Sequence, residues 1–362
     1  MSYKNQILRG FGTPSLVPSR RSLLKGVAKA APILGVGAVL PTFFSRPSAG
    51  ALTGFTFVSN EKSHEVTVLA PETYEVVNKI PTSRRPRGMC FNAEHTNLYV
   101  ACGDEDVVDV IDVASQKVVD GIPTGPSPEV LTISPDEKYM FIANEEDSSM
   151  WIISVEDRVL QHEIPSGAEP EGVMVTPDGK TVFLTSEVAD MVHKIDVEEG
   201  IITNNVIVGT RPRRIRITPD QSEMWVSCEL SGEIYIIDLE SYQVKDVINF
   251  LPPGFRQVDV TPVGLELNAI GSRAYVTLGR ANHLSYVDVA TREITDYILV
   301  GSRAWGVTIT ADEKTLLVAN GLSDDISIID EESRRVLKSV RVGRVPYIPL
   351  IDDRIGWSPV GN

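Results

Sequence analysis

Arginine and glutamate recur in this 362-residue chain on a beat of 42 residues, with one step of 50, at positions where charge could do chemistry. One position reads Arg87, Glu129, Glu171 and Arg213, then changes to Val263, Trp305 and Tyr347. A second position on the same beat carries Glu61, Glu145, Glu187 and Glu229, and Arg85, Arg211, Arg303 and Arg344 flank the first. Guanidinium groups matched to carboxylates suit a polyanionic or polyol ligand, or a charged protein partner. A planar quinone bearing carboxylates could be held by such arginines and stacked on Trp305. The same groups could instead pair with one another and hold neighbouring elements in register. The glutamates could also attract a hard cation such as Ca²⁺, which wants several carboxylates, although a ring spaces them widely for one ion.

Other chemistries find little support. The five histidines, His64, His95, His162, His193 and His283, fall at different phases of the beat, which argues against a zinc cluster. His95 and His162 are expected at the surface, and His193 on a strand. The sequence contains no Cys-x-x-Cys-His, nucleophile elbow, phosphate loop or EF-hand loop. Cys102 and Cys228 share a phase three repeats apart, so no structural disulfide is expected. The formal charge is −15, and −22 without the first 51 residues, a balance that repels nucleic-acid phosphates and anionic lipid.

The elements that must position these residues are set by the repeat. An aromatic or aliphatic residue opens a strand at Phe57, Tyr99, Phe141, Phe183, Trp225, Tyr275 and Leu317. A second marker keeps the same beat at Pro86, Pro128, Pro170, Pro212, Pro262, Ala304 and Pro346. Segments such as 107–113 and 233–239 are short and β-branched, and Thr176-Pro177-Asp178-Gly179 is a tight-turn sequence. Four short strands per repeat, seven times over, predict an all-β, single seven-bladed β-propeller of four-stranded blades. The chain enters at the second strand of a blade whose first strand is 347–351, so both ends close one blade. Asp112, Asp196, Asp238, Asp288 and Asp330 precede turns at the repeat spacing and are expected to form them. The charged positions fall together on the opposite rim, around the mouth of the central channel. The extra eight residues, around Pro252-Pro253-Gly254-Phe255, lengthen a loop on that rim.

The strand openings and Pro-marked junctions resemble the YVTN family of β-propellers, and within it the PQQ-dependent catabolism-associated β-propeller proteins. The resemblance runs from about Thr56 to Pro346. It rests on pieces such as Val58-Ser59-Asn60-Glu61-Lys62, Ile142-Ala143-Asn144-Glu145, Arg85-Pro86-Arg87-Gly88, Glu169-Pro170-Glu171-Gly172, Arg211-Pro212-Arg213 and Thr261-Pro262-Val263-Gly264. Ala304 departs from the marker proline. The resemblance implies association with pyrroloquinoline quinone (PQQ)-dependent alcohol oxidation and carries over no catalytic residue. PQQ and Ca²⁺ are the cofactors to consider, though no motif calls for either.

Residues 1–51 read as an address. Ser19-Arg20-Arg21-Ser22-Leu23-Leu24-Lys25 looks like a twin-arginine export signal, followed by an apolar stretch and the small residues Ala49-Gly50-Ala51. The expected domains are a signal peptide at 1–51, the propeller at 52–351 and a tail at 352–362. No later segment approaches a transmembrane length. The expected protein is a periplasmic monomer without catalytic residues, partnered by a PQQ-dependent dehydrogenase or its electron-transfer partner. A propeller lactonase using Glu145, Glu187 and Glu229, and a structural envelope protein, are the alternatives. Replacing Arg87 and Arg213 with alanine is expected to weaken binding and leave folding intact.

Overall fold

In the computed structural model, residues 52–354 are described. The expected signal peptide, residues 1–51, and all but the first three residues of the expected tail lie outside them. The described residues form 28 strands in seven antiparallel four-stranded sheets. Blade 1 takes its inner strand, Pro346–Ile351, from the C-terminal end and pairs it with Thr56–Asn60. The inner strands of blades 2–7 are Pro86–Phe91, Pro128–Ile133, Pro170–Val175, Pro212–Ile217, Pro262–Leu267 and Ala304–Ile309. The expected propeller and its closure by both chain ends are therefore present. No helix among the described residues is long and apolar enough to cross a membrane.

Burial follows radius. Inner and second strands are buried almost throughout, whereas outer strands such as Val76–Pro81 and Ile201–Ile207 are mostly exposed. The core lies between blades: Phe57, Val66 and Val68 of blade 1 pack on Met89, Leu98 and Val100 of blade 2. A four-stranded sheet has two apolar faces, and stacking blades in a closed ring covers both. Inner strands meet closely enough that a Cβ on Gly264 would lie 2.2 Å from the Trp305 carbonyl oxygen. Gly264→Ala is thus expected to cost about 1–3 kcal/mol through overpacking. Urea denaturation monitored by circular dichroism measures it.

Two recurring devices aim the rim residues. Every inner strand carries a β-bulge just after its first residue; Pro170 pairs with Ser186, yet Val173 pairs with Leu184. A bulge re-aims the extra residue, here the one after each marker. The residue before the marker is left-handed at Arg85, Ser127, Glu169, Arg211, Arg303 and Val345. Several of these strained positions are held by a turn side chain 21 residues earlier. Asp106 accepts from the Ser127 N–H at 3.0 Å, Asp190 from Arg211 at 3.0 Å and Asn282 from Arg303 at 2.7 Å.

On the opposite rim, the expected turn-forming aspartates do form turns. Asp112, Asp196, Asp238, Asp288 and Asp330 each accept a backbone N–H three residues on, at 2.8–2.9 Å. Cys90, Cys102 and Cys228 are buried free thiols. One expectation needs correction: His95 is buried, not superficial. It stacks on Phe91 at 4.4 Å, and its Nδ1 lies 2.8 Å from Asp352, which also accepts from the Thr53 N–H. The sequence shows no partner for His95 because Asp352 is 257 residues away.

Candidate functional site

The structure brings the predicted rim residues together, but most lie below the mouth as a buried plug. Arg87, Glu129, Glu171, Arg213 and Tyr347 are buried, as are Glu61, Glu187 and Glu229. Arg213 donates from Nε to Glu229 Oε2 at 2.8 Å, lies 3.3 Å from Glu171 Oε1 and pairs with Glu187. Arg87 pairs with Glu129 and reaches Glu61 at 3.5 Å and Glu171 at 3.6 Å. Tyr347 crosses from blade 1 and donates its hydroxyl proton to Glu171 Oε1 at 2.7 Å. Two guanidiniums lie over its ring, Arg87 at 4.5 Å and Arg214 at 5.1 Å. The network thus ties blades 1 to 5 across the channel. Burial makes Arg87 and Arg213 supports of the fold, so alanine there tests stability before it tests binding, which corrects the earlier expectation.

The plug sorts its carboxyl groups by environment. Burial alone would raise Glu171, but Arg87, Arg213 and Arg214 more than offset it and hold this carboxyl well below its usual range. Burial pushes Glu129 well above its usual range. Burial, reinforced by the Glu171 charge, pushes Glu187 up to about 8. Neither oxygen of Glu129 or Glu187 receives an aligned hydrogen bond, though each carboxyl lies within ion-pair distance of a guanidinium. Burial also raises the Tyr347 phenol, which stays a donor.

Around the plug stands a half-exposed collar. Arg85 lies 2.8 Å from Glu129 and 3.5 Å from Glu145; Arg211 lies 2.7 Å from Glu187 and 3.3 Å from Glu229. Arg303 lies 3.5 Å from Glu229 and covers the Trp305 ring at 4.8 Å, so a ligand could stack there only by moving Arg303. Arg344 is exposed, with no carboxylate in ion-pair distance among the described residues. The glutamates offered to Ca²⁺, Glu61, Glu145, Glu187 and Glu229, each lie within ion-pair distance of an arginine. No cluster of three metal-ligating side chains occurs among the described residues, so this carboxylate set does not fit a hard cation.

Sequence reasoning missed three arginines. Arg214 binds Glu171 at 2.9 Å and also pairs with the Tyr347 hydroxyl. Its signal was an arginine where the repeat has glycine at Gly88, Gly172, Gly264 and Gly306. Arg216 pairs with Glu266 at 3.3 Å, deeper along the inner strands. Arg280 follows Gly279, which stands where four other blades have glutamate.

A family model described as YNCE-like beta-propeller matches residues 133–330. Among solved structures, the periplasmic gluconolactonase of Pseudomonas aeruginosa is similar at 21% identity and a TM-score of 0.70, covering 83% of this chain and 99% of its own. The hydrazine synthase of Kuenenia stuttgartiensis is similar at 19% identity and a TM-score of 0.68, over 79% of this chain and 98% of its own. A functionally unknown protein from Desulfotomaculum acetoxidans reaches a TM-score of 0.70 at 16% identity, over 82% and 98%. At these identities the likeness is one of fold. A search of curated proteins gave no match.

Proposed function

The chain belongs to the YNCE-like β-propeller family, and from that premise we propose that it is an exported, non-catalytic binding protein of the periplasm. In this reading it serves PQQ-dependent alcohol oxidation and meets a dehydrogenase, or that enzyme's electron-transfer partner, through the arginine-bearing rim. The observation that carries the reading is the commitment of the rim carboxylates. Glu187 and Glu229 lie within ion-pair distance of Arg211 and Arg213, leaving Arg85, Arg211 and Arg303 as the accessible groups. Such a collar can bind, whereas a general base or metal ligand needs a free carboxylate. The twin-arginine-like segment and the YVTN-type pieces support the compartment and the system. The lactonase alternative asks for Glu145, Glu187 and Glu229 as free ligands, and the arginine pairing counts against it. Propellers host many activities, so the gluconolactonase likeness adds no weight.

Sedimentation of the mature protein with a PQQ-dependent alcohol dehydrogenase from the same host tests this. The expected result is a complex that weakens as salt rises and is lost in Arg303→Glu, which reverses the charge at a half-exposed position. Failure to co-sediment, together with lactone hydrolysis by the purified protein, would overturn the proposal.

A further inference from the structure

The collar is uneven around the ring. Blades 1, 3, 4 and 5 place Glu61, Glu145, Glu187 and Glu229 at the turn after the second strand, whereas blades 2, 6 and 7 place Gly103, Gly279 and Gly321 there. Beside Gly103 the inner-strand position is still charged, as Arg87, but beside Gly279 and Gly321 it changes to Val263 and Trp305. One sector of the mouth therefore loses its carboxylates, and it keeps and gains arginines. Arg303 stands in the strap entering blade 7, and Arg280 follows Gly279 on the exposed turn of blade 6.

The two arginines sit on one rigid piece of backbone. Asn282, two residues beyond Arg280, accepts from the Arg303 N–H at 2.7 Å, and a Cβ on Gly279 would lie 3.6 Å from the Ala304 carbonyl oxygen. The Arg280 N–H donates to Thr261 Oγ1 at 2.8 Å, which ties the turn to the lengthened loop. That loop is anchored by buried Phe250 and Val260. Its Asp259 is engaged by Arg256 at 2.8 Å.

Counter-charge is short here. Glu229 is the one carboxylate within ion-pair distance of Arg303 among the described residues, and it is already bound by Arg213 and Arg211. Arg280 has no carboxylate within that distance among the described residues. The Trp305 Nε1–H beside them meets no acceptor. Burial lowers the Arg303 pKa, Glu229 partly restores it, and Arg213, Arg280 and Arg211 depress it further. A guanidinium disfavoured by its guanidinium neighbours is a cation short of an anion.

We propose that the sector built from Arg280, Arg303 and Trp305 is an anion-binding site that takes a small organic polycarboxylate. Planar guanidinium forks match planar carboxylates, and two forks on hydrogen-bonded neighbouring segments favour a ligand with two or more of them. The plug below keeps the ligand at the mouth. The inference rests on the reading of this rim as the binding face, and it names the sector and the ligand chemistry.

Isothermal titration calorimetry of the mature protein with citrate, PQQ and inorganic phosphate tests it. Citrate and PQQ should bind, more weakly as salt rises. Arg280→Gln and Arg303→Gln should each weaken both by about tenfold or more, the scale of a lost charge-assisted contact. Lys138→Gln, an exposed position on the opposite rim, should leave them unchanged, and thermal melts confirm that each variant is folded. Equal loss in Lys138→Gln, or phosphate binding more tightly than both carboxylates, would overturn the site as assigned. Absence of carboxylate binding to the wild-type protein would also overturn it, while leaving protein association through the rim to the sedimentation result.

Discussion

Arg213→Ala is expected to lower the unfolding free energy by about 3–5 kcal/mol, because it strands several buried carboxylates at once. Arg213 is 4% exposed and touches Glu171, Glu187 and Glu229, from blades 4 and 5. An ion pair on a wet surface is worth little, since solvent screens it. Removing one partner of a dry pair differs, because the remaining charges keep their desolvation cost and lose what offset it. Glu171 loses one of the three guanidiniums that hold it ionised. For a domain of this size the melting temperature should fall by roughly 5–15 °C. Differential scanning calorimetry reads the shift, with exposed Arg280→Gln as the reference for a surface change of about 0.5 kcal/mol or less. A second variant separates charge from packing: adding Glu187→Gln to Arg213→Ala should return part of the loss, because it removes one stranded carboxylate. Arg213→Ala melting within a degree or two of Arg280→Gln would mean that the plug is wet and the pairs ornamental.

The fold was legible because the repeat states it seven times. Pro86 and its equivalents mark inner strands, and the bulge behind each marker makes the following residue a rim residue in every blade. The beat therefore located Arg87, Glu129, Glu171 and Arg213 without coordinates. It could not say how deep they lie, because depth depends on which side chains cross the ring. Tyr347 looked like one more mouth residue, yet it spans the channel to Glu171, 176 residues away in sequence. Arg214 and Arg280 escaped for the opposite reason. Each is an exception at its phase, and a search for what recurs passes over what occurs once. His95 with Asp352 repeats the lesson, since a pair made where the chain ends meet leaves no periodic trace. Regularity revealed the scaffold, and the departures from it carry the chemistry proposed for the rim.

Between about pH 4.5 and pH 8 the plug's contribution to stability is expected to fall as pH rises, and Glu187→Gln is expected to remove much of that slope. Five carboxyl groups of the plug are buried, Glu61, Glu129, Glu171, Glu187 and Glu229, against three buried guanidiniums, Arg87, Arg213 and Arg214. Arg85, Arg211 and Arg303 help from the half-exposed collar, where water weakens their hold. The excess negative charge is relieved by protons: burial keeps Glu129 well above its usual range and, with Glu171, lifts Glu187 to about 8. A folded-state pKa above the unfolded value means that the native protein binds more protons across the interval between them. By linkage, the stabilisation is full below the unfolded value near 4.5 and is lost as pH rises through the folded one. Glu171 runs the other way. Its depressed pKa stabilises above the unfolded value, and that contribution disappears only as pH falls through the depressed one, outside the window. Glutamine copies the shape of a protonated glutamate and cannot ionise, so Glu187→Gln should match the wild type near pH 5 and melt several degrees higher at pH 8.5. Melting temperatures of both proteins at intervals from pH 5 to pH 9, at constant ionic strength, decide the matter. Parallel curves would mean that Glu187 is ionised throughout, with Arg211 and Arg213 sufficient to hold it charged.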